Sequence, residues 1–165
     1  MSGTTLEWVG PEGSERYVPW VIEPAVSIER IFVALMVDAY DEEEVAGRER
    51  TVLRLHPAIA PVKAAILPLI AKDAGMVGKA RALELELRAS HVVEYDEGGA
   101  IGRRYRRQDE IGTPFAFTID EQTLADDTVT IRERDSLAQE RLSIAQVGAK
   151  LADELSKPWT TPKTD

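Results

Sequence analysis

Residues 62–70, Val-Lys-Ala-Ala-Ile-Leu-Pro-Leu-Ile, are apolar almost without interruption. A half-exposed strand would alternate polar and apolar side chains. This run does not, so it predicts a central strand covered on both faces, as in a parallel sheet. Such a strand needs helices on either side, and the sequence that follows offers them. Met76–Ser90 is amphipathic, with Ala80, Leu83 and Leu87 inward and Lys79, Glu86 and Ser90 outward. His91–Tyr95 is a second strand. Gly98-Gly99 then turn the chain into a short helix in which Ile101, Tyr105 and Gln108 share one face, while Arg103, Arg106 and Arg107 largely share another. Gly112-Thr113-Pro114 ends that helix, and Phe115–Asp120 is a third strand with Phe115, Phe117 and Ile119 on one side. The alternation β-α-β-α-β predicts an α/β layer with a mostly parallel core.

Beyond it, Thr128–Arg134 alternates, with Val129 and Ile131 on one side and Thr130, Arg132 and Arg134 on the other. Asp135-Ser136 can turn it into Gln139–Ile144, an antiparallel pair. Ser143-x-x-Gln146 is a capping-box pattern for a last helix striped by Val147, Leu151 and Leu155. Two prolines after Ser156 predict a frayed tail.

Ahead of the central run, residues 17–23 predict a short buried strand ending in Glu23 and stopped by Pro24. From Ser27 to Tyr40, Ile28, Ile31, Phe32, Leu35, Met36 and Ala39 recur at helical spacing, and Val33, Ala34 and Val37 fill the other faces. A helix apolar nearly all round needs partners on both sides, which points to a missing domain or a subunit interface. Residues 41–51 are expected to be a charged connector. The domain organisation expected is therefore 1–46, 47–158 and a flexible tail, 159–165. Val52–Leu55 is a possible short strand before Pro57 and Pro61.

Composition removes several classes of function. There are no cysteines, so no disulfide or thiolate metal site exists, which is compatible with a reducing cytoplasm. The two histidines, His56 and His91, have no acid-rich metal spacing around them. No nucleophile–base pair and no phosphate-cradling glycine loop is evident. The N-terminus has neither the basic start nor the apolar run of a signal peptide. The run Ile31–Val37 is far too short to span a bilayer. The net charge is −9, so contact with nucleic acid must be confined to local basic patches such as 103–107. Taken alone, that arginine run reads first as a solvated helix face. Arg30, in the first turn of its helix, opposes the helix dipole; it is either held for a phosphate or carboxylate ligand or paired with Glu29 or Glu23.

The wording of several separated segments narrows these options. They are Leu55-His56-Pro57, residues 59–63 (IAPVK), residues 95–120 (YDEGGAIGRRYRRQDEIGTPFAFTID) and residues 127–135 (DTVTIRERD). Over 52–155, about two-thirds of the chain, the sequence resembles the anticodon-binding domain of the dimeric, class II glycyl-tRNA synthetases. The resemblance implies an α/β fold, a five-stranded mixed sheet flanked by helices, preceded by a strand–helix remnant of a catalytic domain. It implies tRNA(Gly) as partner, with Arg103, Arg104, Arg106, Arg107, Asp109, Glu110, Arg132 and Arg134 as anticodon-binding residues. Arg132 and Arg134, beside Thr130, would form a basic strip on the RNA side; the alternative for Arg132 is a cross-strand pair with Glu140. Asp109 and Glu110 could accept from a cytosine amino group or orient the arginines. Tyr105 could stack on a base, but its spacing from Ile101 favours a core position.

Residues 21–30 (VIEPAVSIER) resemble motif 3 of the class II catalytic domain in its glycyl form. The resemblance gives Glu23 to the amino group of glycine and Arg30, with Ser27 near it, to ATP. Pro24 matches the motif. Ala25 stands where the family has serine, and so lacks its hydroxyl. Ser27 stands where the family has glycine, and puts a side chain where the backbone approaches the nucleotide. Motifs 1 and 2 are not in this chain, so it is not expected to assemble an adenylate-forming site by itself. The implied parent reaction joins glycine, ATP and tRNA(Gly) into glycyl-tRNA, AMP and diphosphate, in a cytoplasmic homodimer that uses ATP and Mg2+; the isolated chain needs no cofactor. The alternative is a free-standing, non-catalytic accessory or scaffolding subunit.

Overall fold

In the computed structural model, which describes residues 3, 6–13 and 15–162, the chain divides into two compact units, Met1–Phe32 and Val33–Asp165. The first holds a two-stranded antiparallel ribbon, β1 (Trp8–Val9) on β2 (Arg16–Tyr17). It also holds the start of α1 (Ile28–Ala39). The buried strand expected over 17–23 does not form. Residues 18–27 carry no regular element, and Pro19 and Pro24 remove the donors a ladder would need. None of the described residues of this unit is buried. Helix α1 begins where Ser27 Oγ accepts the Arg30 N–H at 3.3 Å, so Ser27 acts as its N-cap. Of its twelve residues only Ala39 is buried.

The second unit opens with a hairpin, β3 (Tyr40–Val45) antiparallel to β4 (Arg48–Leu53). Its turn residues, Ala46 and Gly47, both have positive φ, 52° and 74°, the signature of a tight two-residue hairpin turn. The stretch expected as a charged connector is therefore paired structure, and position 46, the expected domain boundary, is its turn. One charge pair closes directly across the ladder: Glu43 stands opposite Arg50 and pairs with it.

The apolar run becomes β5 (Ala64–Pro68), buried throughout. It lies between two parallel neighbours, β6 (Val93–Tyr95) and β7 (Phe115–Ile119). β8 (Thr128–Glu133) and β9 (Gln139–Ser143) complete the sheet antiparallel, in the order β6-β5-β7-β8-β9. The alternation of β5 separates the two layers. Ala64 and Ile66 pack with Met76, Ala80, Leu83 and Leu87 of α2 (Ala74–Leu87) and with Val147 and Leu151 of α5 (Val147–Ser156). Ala65 and Leu67 turn to the other face, against Ile101 and Tyr105 of α3 (Ile101–Glu110). A short helix, α4 (Glu121–Asp126), follows β7, closed by a capping box between Asp120 and Thr123 that the sequence reading missed. The box expected at Ser143 does not form. Residues 144–146 make a 3-10 turn, and no side chain caps either helix start there.

The tail expected to fray is tied back at Trp159. Its Nε1 donates to Asp135 at 3.0 Å, and its ring meets His56 edge-on, 5.3 Å between centroids. Residues 163–165 lie outside the described residues. Among the described residues no helix is long and apolar enough to cross a membrane.

Candidate nucleic-acid interface

The arginines of α3 divide into those that build the surface and those that present it. Arg104 is only 2% exposed. It donates to the Gly99 carbonyl from Nε (3.0 Å) and Nη2 (2.7 Å), and to the Pro68 carbonyl from Nη1. It therefore stitches the loop before α3 to the end of β5. Arg107 holds the same loop from outside, donating to Asp96 (Nε, 3.0 Å) and to the Gly98 carbonyl (Nη2, 2.6 Å). Arg106 donates to the backbone carbonyl of Glu49 in the β3–β4 hairpin. The Arg103 side chain is exposed and, among the described residues, has no hydrogen-bond or ion-pair partner.

Under α3 lies an ionic hub. Asp109, 1% exposed, accepts from Arg50 Nε at 2.8 Å and from both terminal nitrogens of Arg132 at 2.9 and 3.1 Å. Arg50 also pairs with Glu43 and donates to the Arg134 carbonyl at 2.6 Å. Burial works against the Arg50 charge, but Asp109 and Glu43 outweigh it and hold its pKa above the ordinary arginine value. Arg134 donates to the carbonyls of Gly112 (2.8 Å) and Leu55 (2.9 Å) and pairs with Asp135. Arg54 joins Asp41, Glu43 and Asp135. Burial pushes the Asp135 carboxyl up, and Arg134, Trp159 and Arg54 more than offset it, leaving it below the usual carboxylate range.

This arrangement corrects part of the expected site. Arg104, Asp109, Arg132 and Arg134 are interior groups, not a surface strip for RNA. The reason for Arg132 is geometric: β8 is an inner strand, and the face carrying Arg132 is covered by α3. Its guanidinium sits 4.7 Å over the Tyr105 ring, and the Tyr105 hydroxyl is 2.5 Å from Thr118 Oγ1, so Tyr105 is half-buried and packs against the core, on the inward face its spacing predicts. Arg132 stands opposite Gln139, not Glu140, which pairs with Lys150 instead.

What remains at the surface is a groove of about 700 Å³ between α3 and the hairpin turn. Arg48, Arg103, Arg106 and Arg107 line it, with Glu49 and Glu110. Four guanidiniums against two carboxylates make a locally cationic trough on a chain of net charge −9. Arg48 and Arg50 fall in the stretch expected to be a charged connector, and Arg54 in the short strand expected after it, so nothing local in the sequence marks them. The distant partners of Arg50 and Arg54, Asp109 and Asp135, lie 59 and 81 residues away. Glu23, Ser27 and Arg30 belong to the first unit, where all three are exposed and Ser27 is occupied in capping α1.

The family model described as "Anticodon binding domain" matches residues 63–154, from the residue before β5 into α5. The chain belongs to the anticodon-binding-domain family. Among curated relatives, it is 51% identical over 160 residues to the glycine–tRNA ligase of Thermobifida fusca, covering 94% of this chain and 34% of the relative. It is 52% identical over 159 residues to that of Nocardia farcinica (93% and 34%). To that of Caldanaerobacter subterraneus it is 51% identical over 154 residues (93% and 33%). The chain thus spans about a third of the length of these relatives. The compact unit that contains the match is larger than the match, because the hub ties to it a hairpin that lies before residue 63.

Proposed function

We propose that this chain reads the anticodon of tRNA(Gly) as part of a glycine–tRNA ligase, which joins glycine, ATP and tRNA into glycyl-tRNA, AMP and diphosphate. The observation that carries this is half-identity to such ligases along nine-tenths of the chain, with the anticodon-binding family spanning 63–154. Unpaired anticodon bases are read by stacking and by hydrogen bonds to their edges, while arginines hold the phosphates. Arg103, Arg106 and Arg107 supply the cationic side of that surface, and Glu110 an acceptor for a base amino group. Arg104, Asp109, Arg132 and Arg134 serve recognition by holding the surface in shape.

Glycine at Glu23 and ATP at Arg30 and Ser27 belong to the complete ligase, a cytoplasmic homodimer in this reading. Among the described residues no three His, Cys, Asp or Glu side chains gather as a metal site requires. Mg2+ is assigned in this reading, with ATP, to the complete enzyme. The reading as an accessory subunit is less favoured, because the relatives named above are ligases. The test is titration of the purified chain with tRNA(Gly) and with the same tRNA substituted in its anticodon, at one salt concentration. The expected result is roughly a tenfold or larger preference for the native anticodon; equal affinity for the two contradicts the proposal.

A further inference from the structure

One wall of the cationic groove does not come from the matched family region. It is the turn of the β3–β4 hairpin, which precedes residue 63 and contributes Arg48 and Glu49. The opposite wall is α3. Arg107 is largely neutralised by Asp96, while Arg106 donates to a neutral carbonyl and keeps its charge. Arg48 and Arg103 are exposed, one on each wall, and neither has a carboxylate partner among the described residues. The walls are fixed to each other beneath the groove by the Arg50–Asp109 pair and across its rim by Arg106 on Glu49. Two free guanidiniums facing one trough, on walls already locked together, are preorganised for a ligand that carries negative charge at intervals. On a chain of net charge −9, a polyanion is held only where cations gather locally, as they do along such a track.

We propose that the hairpin turn and α3 form a phosphate track along which the sugar–phosphate backbone of the tRNA passes beside the anticodon, with Arg48 and Arg103 as its direct contacts. The inference rests on the reading that this chain binds tRNA. It adds a contact element that the family match does not include. The track positions the RNA and carries no sequence information, so its loss must weaken all tRNAs alike.

The experiment measures binding of the whole chain to tRNA(Gly) and to its anticodon-substituted form across a series of salt concentrations. It compares wild type, Arg48→Ala, Arg103→Ala and a control, Arg88→Ala. Arg88 follows α2 on the opposite layer of the sheet and pairs with Glu84. Arg48 and Arg103 are exposed, and matching unfolding midpoints verify that their variants fold. Each of these two variants is expected to weaken binding about threefold or more near 0.1 M salt, equally for both tRNAs. Each should also reduce the slope of log K against log salt by roughly 0.7 to 0.9, one phosphate's share. Arg88→Ala should change neither. If wild type prefers the native anticodon while Arg48→Ala and Arg103→Ala keep its affinity and slope, the track is overturned and the proposed function stands. If wild type ignores the anticodon yet both variants lose affinity and slope, the track stands and the anticodon reading fails. No binding by wild type overturns both.

Discussion

Asp109 is the residue on which the domain's ionic interior turns. It is 1% exposed and accepts three N–H donors from two guanidiniums. Removing one partner of a buried pair strands the other charge, at a cost of about 3–5 kcal/mol. Asp109→Ala is therefore expected to lower stability by that order in urea unfolding, and a loss under about 1 kcal/mol would contradict its place in the hub. Asp120 makes a pH-dependent contribution. Arg141 donates to both its oxygens at 2.7 and 2.8 Å, Thr123 adds its backbone N–H, and together they hold the carboxyl well below the usual carboxylate range. A depressed carboxylate stabilises the fold above the pKa of the unfolded chain, about 4, and loses that contribution as pH falls from there through the folded value. Asp120→Asn should thus be less stable than wild type at pH 6, with a gap that narrows below about pH 4. A gap that stays constant down to pH 3 would refute this. At this scale Tyr105 was legible, because its spacing from Ile101 marks an inward face. Asp109 and Arg132 were not, because a charged residue buried against a distant charge reads in sequence like one that faces solvent.

At the scale of elements, the sheet and its helices followed from apolar periodicity. Strand β5 and the order β-α-β-α-β required only local pattern. The β3–β4 hairpin did not, since what turns Arg50 and Arg54 inward is Asp109 and Asp135, far along the chain. Helix α4 was hidden by brevity: six residues give no periodicity, and only its capping pair marked it. The join between α3 and β7 is tested by Gly112, which follows the helix at φ +81°. A Cβ there would stand 3.0 Å from the Leu53 carbonyl oxygen and from Leu55 Cδ1. Gly112→Ala combines a left-handed backbone with backbone crowding, and should cost about 1–3 kcal/mol. An unchanged thermal midpoint would show that this junction is not tight. Arg104→Ala should release the 96–99 loop, seen as faster amide exchange there than in β5 or β7; unaltered exchange would mean the loop is held by Arg107 alone.

For the whole molecule, the two units differ in kind. Val33–Asp165 has a continuous core on both faces of a five-stranded sheet. Met1–Phe32 has no buried residue among those described, and exposes Trp20 and Ile22 almost completely. The chain also spans only about a third of its ligase relatives. The functional claim therefore rests on the second unit, where a cationic groove stands out from an otherwise acidic molecule. Its most direct test is chemical footprinting of tRNA(Gly) with the chain bound, read at nucleotide resolution. Protection confined to the anticodon loop and the adjoining stem backbone is the predicted result. Protection of the acceptor end with the anticodon loop left fully reactive would contradict the account.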